Sequence, residues 1–119
     1  MSDNDHSFAY VMELSWRTIH ILCVDRGELR ERLPRAWDEG MSLISPESLP
    51  VDCERAKNGL VQIRETLNAD LDSYMARTFG AARASVRGKH GDTLERVAEL
   101  VLDVRSDLER HEEYRKQRT

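Results

Sequence analysis

The sequence predicts an all-α protein, built as a three- to four-helix bundle that contains an antiparallel helical hairpin. Apolar residues recur at spacings of three and four in three long segments, as expected for helices with one buried face. No stretch alternates polar and apolar residues for long, and all three prolines fall within residues 34–50. Since 119 residues fit one domain, we treat 1–119 as a single helical domain.

The first predicted helix spans about 7–33. Ser7 is a suitable N-cap residue, and an apolar stripe follows it. Trp16 lies on that stripe, which predicts that its side chain is buried in the core. Gly27 is expected to weaken the helix without ending it, and Pro34 is expected to end it.

Residues 34–50 are predicted to form an irregular linker that packs against the helices, because glycine and proline interrupt it while apolar side chains recur. Trp37 and Met41 are candidate binding residues in this linker. An exposed tryptophan beside flexible backbone would anchor an interface. The alternative is that Trp37 covers the end of the bundle.

The second predicted helix runs from about 51 to at least 79. Its apolar stripe carries on past Gly80, so we extend the helix to about 87. Such a helix would be about 55 Å long at 1.5 Å per residue, which is too long for a compact monomer. Either the helix bends at Gly80 or it reaches into a partner subunit, and this length together with the heptad spacing of the next helix predicts a homodimer.

The third predicted helix spans about 93–115 and follows a turn at Gly88–Gly91. Asp92 is the expected cap, with Glu95 completing a capping-box pattern. The apolar positions of this helix follow a heptad seam that ends on a histidine: Leu94, Val97, Val101, Val104, Leu108 and His111.

One acid-free stretch lies in this acidic chain, between Asp72 and Asp92. Its candidate nucleic-acid or phosphate ligands are Arg83, Arg87 and Lys89. The competing interpretation is charge matching across a hairpin whose turn is centred near 89–90. In that register Arg77 faces Asp103, Arg83 faces Glu95 and Glu99, and Arg87 lies near Asp92. We favour charge matching, because acids spaced four apart on one helix need a cationic neighbour.

Arg105, five intervening residues and His111, with Tyr114 beyond, resemble the active-site pattern of HEPN-type ribonucleases. That resemblance implies a helical dimer that cleaves RNA, with the histidine as general base and the arginine stabilising phosphorane charge. On an unbroken helix, however, residues six apart point about 120° away from each other. We therefore prefer His111 as the polar end of the apolar seam.

The sequence predicts no metal site and no cofactor. His20, Cys23 and Cys53 could supply soft ligands, but their spacing matches no structural zinc pattern. The acidic face of the third helix lacks the paired acids of all-α nucleotide pyrophosphohydrolases; that face comprises Glu99, Asp103, Asp107 and His111. Salt bridges or solvent are the expected partners of these side chains.

No catalytic constellation in the sequence rises above background, which favours binding over catalysis. The net charge of −4 argues against a general polyanion binder, and no signal peptide or membrane span is visible. A cytoplasmic setting with two free, buried thiols is expected. We predict a non-enzymatic interaction module of bacterial type: a small regulatory, inhibitor- or immunity-like, or chaperone-like accessory protein. Its partners would be a second copy of itself and another protein, and the alternative is a helical dimer that binds or cleaves RNA.

Overall fold

A computed structural model describes residues 3–67, 77, 80–87 and 89–118. Over these ranges the protein is all-helical and contains no strand, which confirms the all-α part of the prediction. Its α-helices are α1 (Asp3–Val24), α2 (Leu29–Glu39), α3 (Glu54–Leu67), α4 (Ala81–Val86) and α5 (Gly91–Arg118), with short 3₁₀ turns at Met41–Leu43 and Pro46–Ser48. No helix within these ranges has the length and apolar character that crossing a membrane requires.

The helix is interrupted between Val24, where α1 ends, and Leu29, where α2 begins, so the prediction of one helix over 7–33 is wrong. Gly27 has a φ of 105°, a left-handed conformation that few other residues adopt. The guanidinium of Arg32 covers the break by donating to the carbonyls of Leu22 and Gly27. Pro34 does not end a helix either, because it lies inside α2 and is buried there.

The predicted irregular linker is partly helical, since 34–39 belong to α2 and the two 3₁₀ turns follow. Trp37 is 1% exposed and Met41 is 0% exposed, so both belong to the core rather than to the surface. Trp37 carries the guanidinium of Arg64 over its ring, 5.5 Å from the centroid. Neither of the two candidate binding residues is therefore available at the surface of the linker.

Gly40 lets α1 and the first 3₁₀ turn approach each other closely. A Cβ atom at this position would lie 2.1 Å from the hydroxyl of Thr18 and 2.6 Å from the carbonyl oxygen of Leu14. The Thr18 hydroxyl donates to the carbonyl of Ala36 at 3.0 Å and accepts the amide of Met41 at 2.8 Å. One buried side chain thus ties α1 to both sides of the junction.

The predicted helix over 51–87 is not continuous. α3 begins at Glu54, the segment 68–76 lies outside the described residues, and α4 begins only after Gly80. Gly80 has a φ of 96°, which is incompatible with an α-helix, so the extension of one helix through it to 87 is wrong. Of the two alternatives that the sequence left open, a bend at Gly80 and a long helix that reaches into a partner subunit, the structure has an interruption at Gly80. The predicted length of the helix therefore no longer argues for a partner subunit.

α5 begins at Gly91, two residues before the predicted start. The carbonyl of His90 accepts the amides of Thr93 and Leu94, so Asp92 lies in the first turn instead of serving as the cap. The five apolar positions of the predicted seam, from Leu94 to Leu108, are each at most 2% exposed. The heptad pattern therefore identified the buried face of α5 correctly.

α3 and α5 pack in opposite directions, but not in the predicted register. Ala56 lies against Asp107, and a Cβ atom at Gly59 would lie 2.7 Å from a methyl group of Val104. The predicted register would place the partner of Ala56 beyond the last residue of the chain. The difference arises because α4 packs as a separate element against α2 and α3 before the chain enters α5.

Candidate functional site

A cluster of polar side chains joins the start of α3 to the C-terminal half of α5. We call it the α3–α5 polar cluster, and it comprises Asp52, Cys53, Asp107, Arg110 and His111. Cys53 accepts the amide of Lys57 at 3.0 Å through its carbonyl and so directly precedes the first turn of α3. The residues of the cluster are distant in sequence, and the α3–α5 packing brings them together.

Asp107 caps α3 from the neighbouring helix. Its Oδ2 accepts the backbone amide of Ala56 at 2.9 Å, and the residue is 6% exposed. Amides in the first turn of a helix have no partner within the helix and carry its positive dipole end. A carboxylate from α5 therefore does for α3 what an N-cap side chain ordinarily does.

Arg110 compensates the charge of Asp107. Its Nε and one terminal nitrogen donate to Oδ1 of Asp107 at 3.1 and 2.9 Å, and the same terminal nitrogen donates to the carbonyl of Asp52 at 2.9 Å. Both oxygens of the Asp107 carboxylate consequently have partners. Such pairing is what makes a buried carboxylate tolerable in a small core.

His111 lies where α1, α3 and α5 meet. Its Nδ1 is 2.8 Å from Oδ2 of Asp52, and its side chain is 12% exposed whereas that of Asp52 is 48% exposed. The hydrogen bond from His111 lowers the pKa of the Asp52 carboxyl below its ordinary value. Phe8 of α1 packs edge-on against the imidazole, with ring centroids 5.0 Å apart, and fixes its orientation.

Cys53 is fully buried beside these charges. Burial raises the pKa of its thiol to about 11, and the carboxylates of Asp107 and Asp52 contribute in the same direction. The thiol therefore stays protonated at neutral pH and is a poor nucleophile. Cys23, also predicted to be buried, is exposed, so that prediction is wrong.

The structure does not bring Arg105 and His111 together. The guanidinium of Arg105 turns towards α1, where it donates to the carbonyl of Met12 at 2.9 Å and to the hydroxyl of Ser15 at 2.8 Å. It also pairs with Glu109 at 2.8 Å. His111 turns towards Asp52, so within one chain the two residues serve different contacts.

The basic segment packs against α2, which changes the predicted charge matching. Arg83 lines an open groove of about 420 Å³ together with acids of α2, namely Glu31, Asp38 and Glu39. Glu95 and Glu99, the predicted partners of Arg83, do not line this groove, and Glu99 pairs with Arg96 at 3.5 Å. Acids do lie beside the basic segment, but they belong to α2, which was not part of the predicted hairpin.

Arg30 of α2 holds the end of this segment through its backbone. Its guanidinium donates to the carbonyls of Val86, Arg87 and Lys89, the last at 2.5 Å. Arg87 is exposed and Lys89 is half-buried. Arg30 thus lies among the cations that are candidate nucleic-acid ligands, and its guanidinium binds backbone carbonyls of this same chain.

Two large apolar side chains, one on α1 and one on α5, are half exposed. Trp16 is 52% exposed and Leu102 is 53% exposed. The prediction that Trp16 belongs to the core is wrong, because its ring lies at the edge of α1 and stacks on His20 at 4.7 Å. We call the surface around Trp16 and Leu102 the α1–α5 face.

Comparison with known proteins identifies no relative. No protein-family model matches the chain, and neither the curated proteins nor the solved structures contain a match.

Sequence reasoning missed the role of Asp107. The sequence predicts salt bridges or solvent as the partners of Asp107 and of its neighbouring acids on α5. The signal that distinguishes Asp107 is its position directly before Leu108 and three residues after Val104, which are both fully buried. A carboxylate that borders a buried seam needs an internal partner, whereas the exposed Asp103 does not.

Proposed function

We propose that this chain is a non-enzymatic protein–protein interaction module, a three- to four-helix bundle that forms a homodimer through its α1–α5 face. The observation that carries the proposal is the half-exposed Trp16. Tryptophan is the residue type most enriched among those that dominate binding energy at protein interfaces. As a further part of the proposal, the module has a cytoplasmic regulatory, inhibitor-like or chaperone-like role.

Trp16 and Leu102 lie at similar heights along α1 and α5, which pack in opposite directions. Phe8 contacts His111, and Ser15 accepts a hydrogen bond from Arg105 seven residues further along α1. Trp16 follows Ser15, and Leu102 lies one helical turn before Arg105. We infer that both side chains border this interhelical contact on its solvent side.

The charges around this face are self-complementary. On α1, Arg17 pairs with Glu13 at 3.2 Å, and on α5, Arg105 pairs with Glu109 at 2.8 Å. Each helix thus offers both signs of charge to a partner. In a two-fold interface the same patch meets itself, so a surface with both signs can exchange these pairs between copies. A second copy of the chain is the occupant that this pattern fits.

The experiment is sedimentation velocity at several protein concentrations on the wild-type chain and on Trp16→Glu. We expect a concentration-dependent dimer in the wild type. Trp16→Glu should weaken it at least about 30-fold, since interface hot spots contribute roughly 2 kcal/mol or more. Leu43→Glu is the matched control, because Leu43 is 56% exposed on a different element. A monomeric wild type, or a dimer insensitive to Trp16→Glu, would contradict the proposal.

The competing hypothesis is RNA binding or cleavage through Arg83, Arg87 and Lys89 with Arg105 and His111. The same samples test it by titration with a fluorescent RNA oligonucleotide at low salt. Under our proposal the titration is flat, because acids of α2 line the groove beside Arg83. Salt-dependent binding that is lost in Arg83→Glu would favour the competing hypothesis.

A further inference from the structure

Three different metal-ligand types converge in the α3–α5 polar cluster. A carboxylate oxygen of Asp52, the Sγ of Cys53 and a ring nitrogen of His111 all lie within 4.8 Å of one another. A tetrahedral zinc ion holds such donors at about 2.0–2.3 Å, which separates them from each other by roughly 3.3–3.8 Å. Closing the remaining distance needs side-chain movements of about 1 Å, not a rearrangement of helices.

We propose that Asp52, Cys53 and His111 form a binding site for a zinc-class divalent cation. Thiolate, imidazole and carboxylate together are the donor set that zinc accepts, whereas magnesium and calcium prefer oxygen alone. The site does not rest on the proposed dimer, because all three donors belong to one chain and lie away from Trp16.

Two of the three donors are held in place by the fold. Cys53 is fixed by its backbone, whose amide donates to Pro50 at 3.0 Å and whose carbonyl accepts the amide of Lys57 at 3.0 Å. His111 is fixed by the edge-on contact with Phe8. Asp52 is the adjustable donor, since its side chain is 48% exposed. Solvent reaches the cluster on that side and can supply a fourth ligand.

The charges around the thiol favour a cation. The negative charges of Asp52 and Asp107 both lie close enough to Cys53 to disfavour a thiolate there. Arg110 offsets the charge of Asp107 by donating to its Oδ1. A divalent ion would be balanced by the Cys53 thiolate and the Asp52 carboxylate. Binding releases the thiol proton to solvent. The ion replaces the hydrogen bond between Asp52 and His111, so the ring proton leaves Nδ1 and the neutral imidazole carries its single proton on Nε2.

An ion in this position would connect the start of α3 to α5. It would therefore stabilise the folded chain by binding it in preference to the unfolded chain. At Zn²⁺ concentrations of about 100 times the Kd, we expect the melting temperature to rise on the order of 10 °C.

The test titrates the full chain with Co²⁺ as a spectroscopic probe and with Zn²⁺ as the competing ion. We expect one equivalent of Co²⁺ to give a thiolate-to-metal charge-transfer band that Zn²⁺ abolishes. The band should vanish in Cys53→Ser. In Asp52→Asn and His111→Gln, the apparent affinity for Co²⁺ should fall at least about tenfold. Cys23→Ser and His20→Gln are the matched controls, because both positions are exposed on α1 and should leave the band unchanged.

Circular dichroism on each variant separates loss of the site from loss of the fold. If Cys53→Ser is unfolded, Asp52→Asn decides the matter, because Asp52 is on the surface. The proposal is overturned if the folded wild type gives no charge-transfer band, or if the band survives Cys53→Ser. It is also overturned if folded Asp52→Asn and His111→Gln bind as tightly as the wild type, or if the band depends on Cys23.

Discussion

Two charged side chains hold the two flanks of α5, and they do so in different ways. Asp107 is 6% exposed and caps α3 from the C-terminal half of the helix. Arg30 is half-buried and binds carbonyls of the segment that leads into α5. A buried carboxylate that loses its partner cannot hydrogen-bond to water instead, whereas a guanidinium near the surface can. The anchor at Asp107 therefore fixes the packing of two helices, whereas the anchor at Arg30 docks a short segment.

The largest expected effect is that of Asp107→Ala. It removes the acceptor of the Ala56 amide and the partner of Arg110 at once. We expect the free energy of unfolding in urea to fall by about 3 kcal/mol, the range seen when a buried, charged hydrogen-bonding group is lost.

Asp103→Ala is the control for that prediction, because Asp103 lies one helical turn earlier on α5 and is exposed. It should change the free energy of unfolding by less than about 0.5 kcal/mol. Equal effects of the two substitutions would show that the buried position of Asp107 is not what matters.

The next largest effect is a loss of stability at alkaline pH that is caused by the thiol of Cys53. The pKa of Cys53 is about 11 in the folded chain against an ordinary 9.0, so the folded state holds the thiol proton more tightly. Stability from this group is complete below pH 9 and is lost as the pH rises from 9 to 11. The loss is on the order of 2 kcal/mol.

Urea unfolding at pH 8 and pH 11 with a chelator present checks this prediction. Comparison with Cys53→Ser isolates the thiol from lysines and tyrosines that titrate over the same range. The variant should lose less stability than the wild type between the two pH values. Parallel losses in both proteins would contradict the assigned cause.

A smaller effect is expected from Arg30→Ala at the N-terminal flank. The substitution removes hydrogen bonds to the carbonyls of Val86 and Lys89, but these carbonyls can bind water instead. We expect a loss of about 1 kcal/mol in urea unfolding. Arg26→Ala, at an exposed position before α2, should be neutral. A loss as large as that of Asp107→Ala would remove the proposed difference between the anchors.

The smallest effect is that of Asp52→Asn, because Asp52 is half exposed to solvent. Its pKa is lowered by the hydrogen bond with His111, so its contribution is present above its ordinary pKa of 3.8 and is lost as the pH falls through and below that value. The variant should be less stable by about 0.5 kcal/mol at pH 6. Melting temperatures between pH 6 and pH 2.5 should converge for the two proteins, and a constant difference would contradict this cause.

The sequence was sufficient for elements whose burial is periodic and local. The heptad spacing of α5 identified Leu94 to Leu108 as buried, and the apolar content of the linker showed that it packs. The sequence was insufficient where a single backbone conformation decides the path. Gly27 and Gly80 are tolerated in helices at a small cost, and only the folded chain shows that both adopt positive φ.

The candidate site was harder to predict than the fold, for a related reason. Asp52, Cys53 and His111 meet only because α3 and α5 pack in one register, and that register depends on where the segment through Gly80 turns. Arg83 shows the same dependence, since its acidic neighbours lie on α2 instead of α5. Charge pattern along a chain indicates that partners are needed, but tertiary packing selects which ones.

Native-state hydrogen exchange of the Ala56 amide tests the central comparison most directly. We predict that Asp107→Asn, which keeps the side-chain shape, speeds exchange at Ala56 while the amides of Arg87 and Lys89 keep their wild-type rates. Arg30→Ala should do the reverse. Unchanged protection of Ala56 in Asp107→Asn, or equal loosening of both regions by either substitution, would contradict the account of two separate anchors on α5.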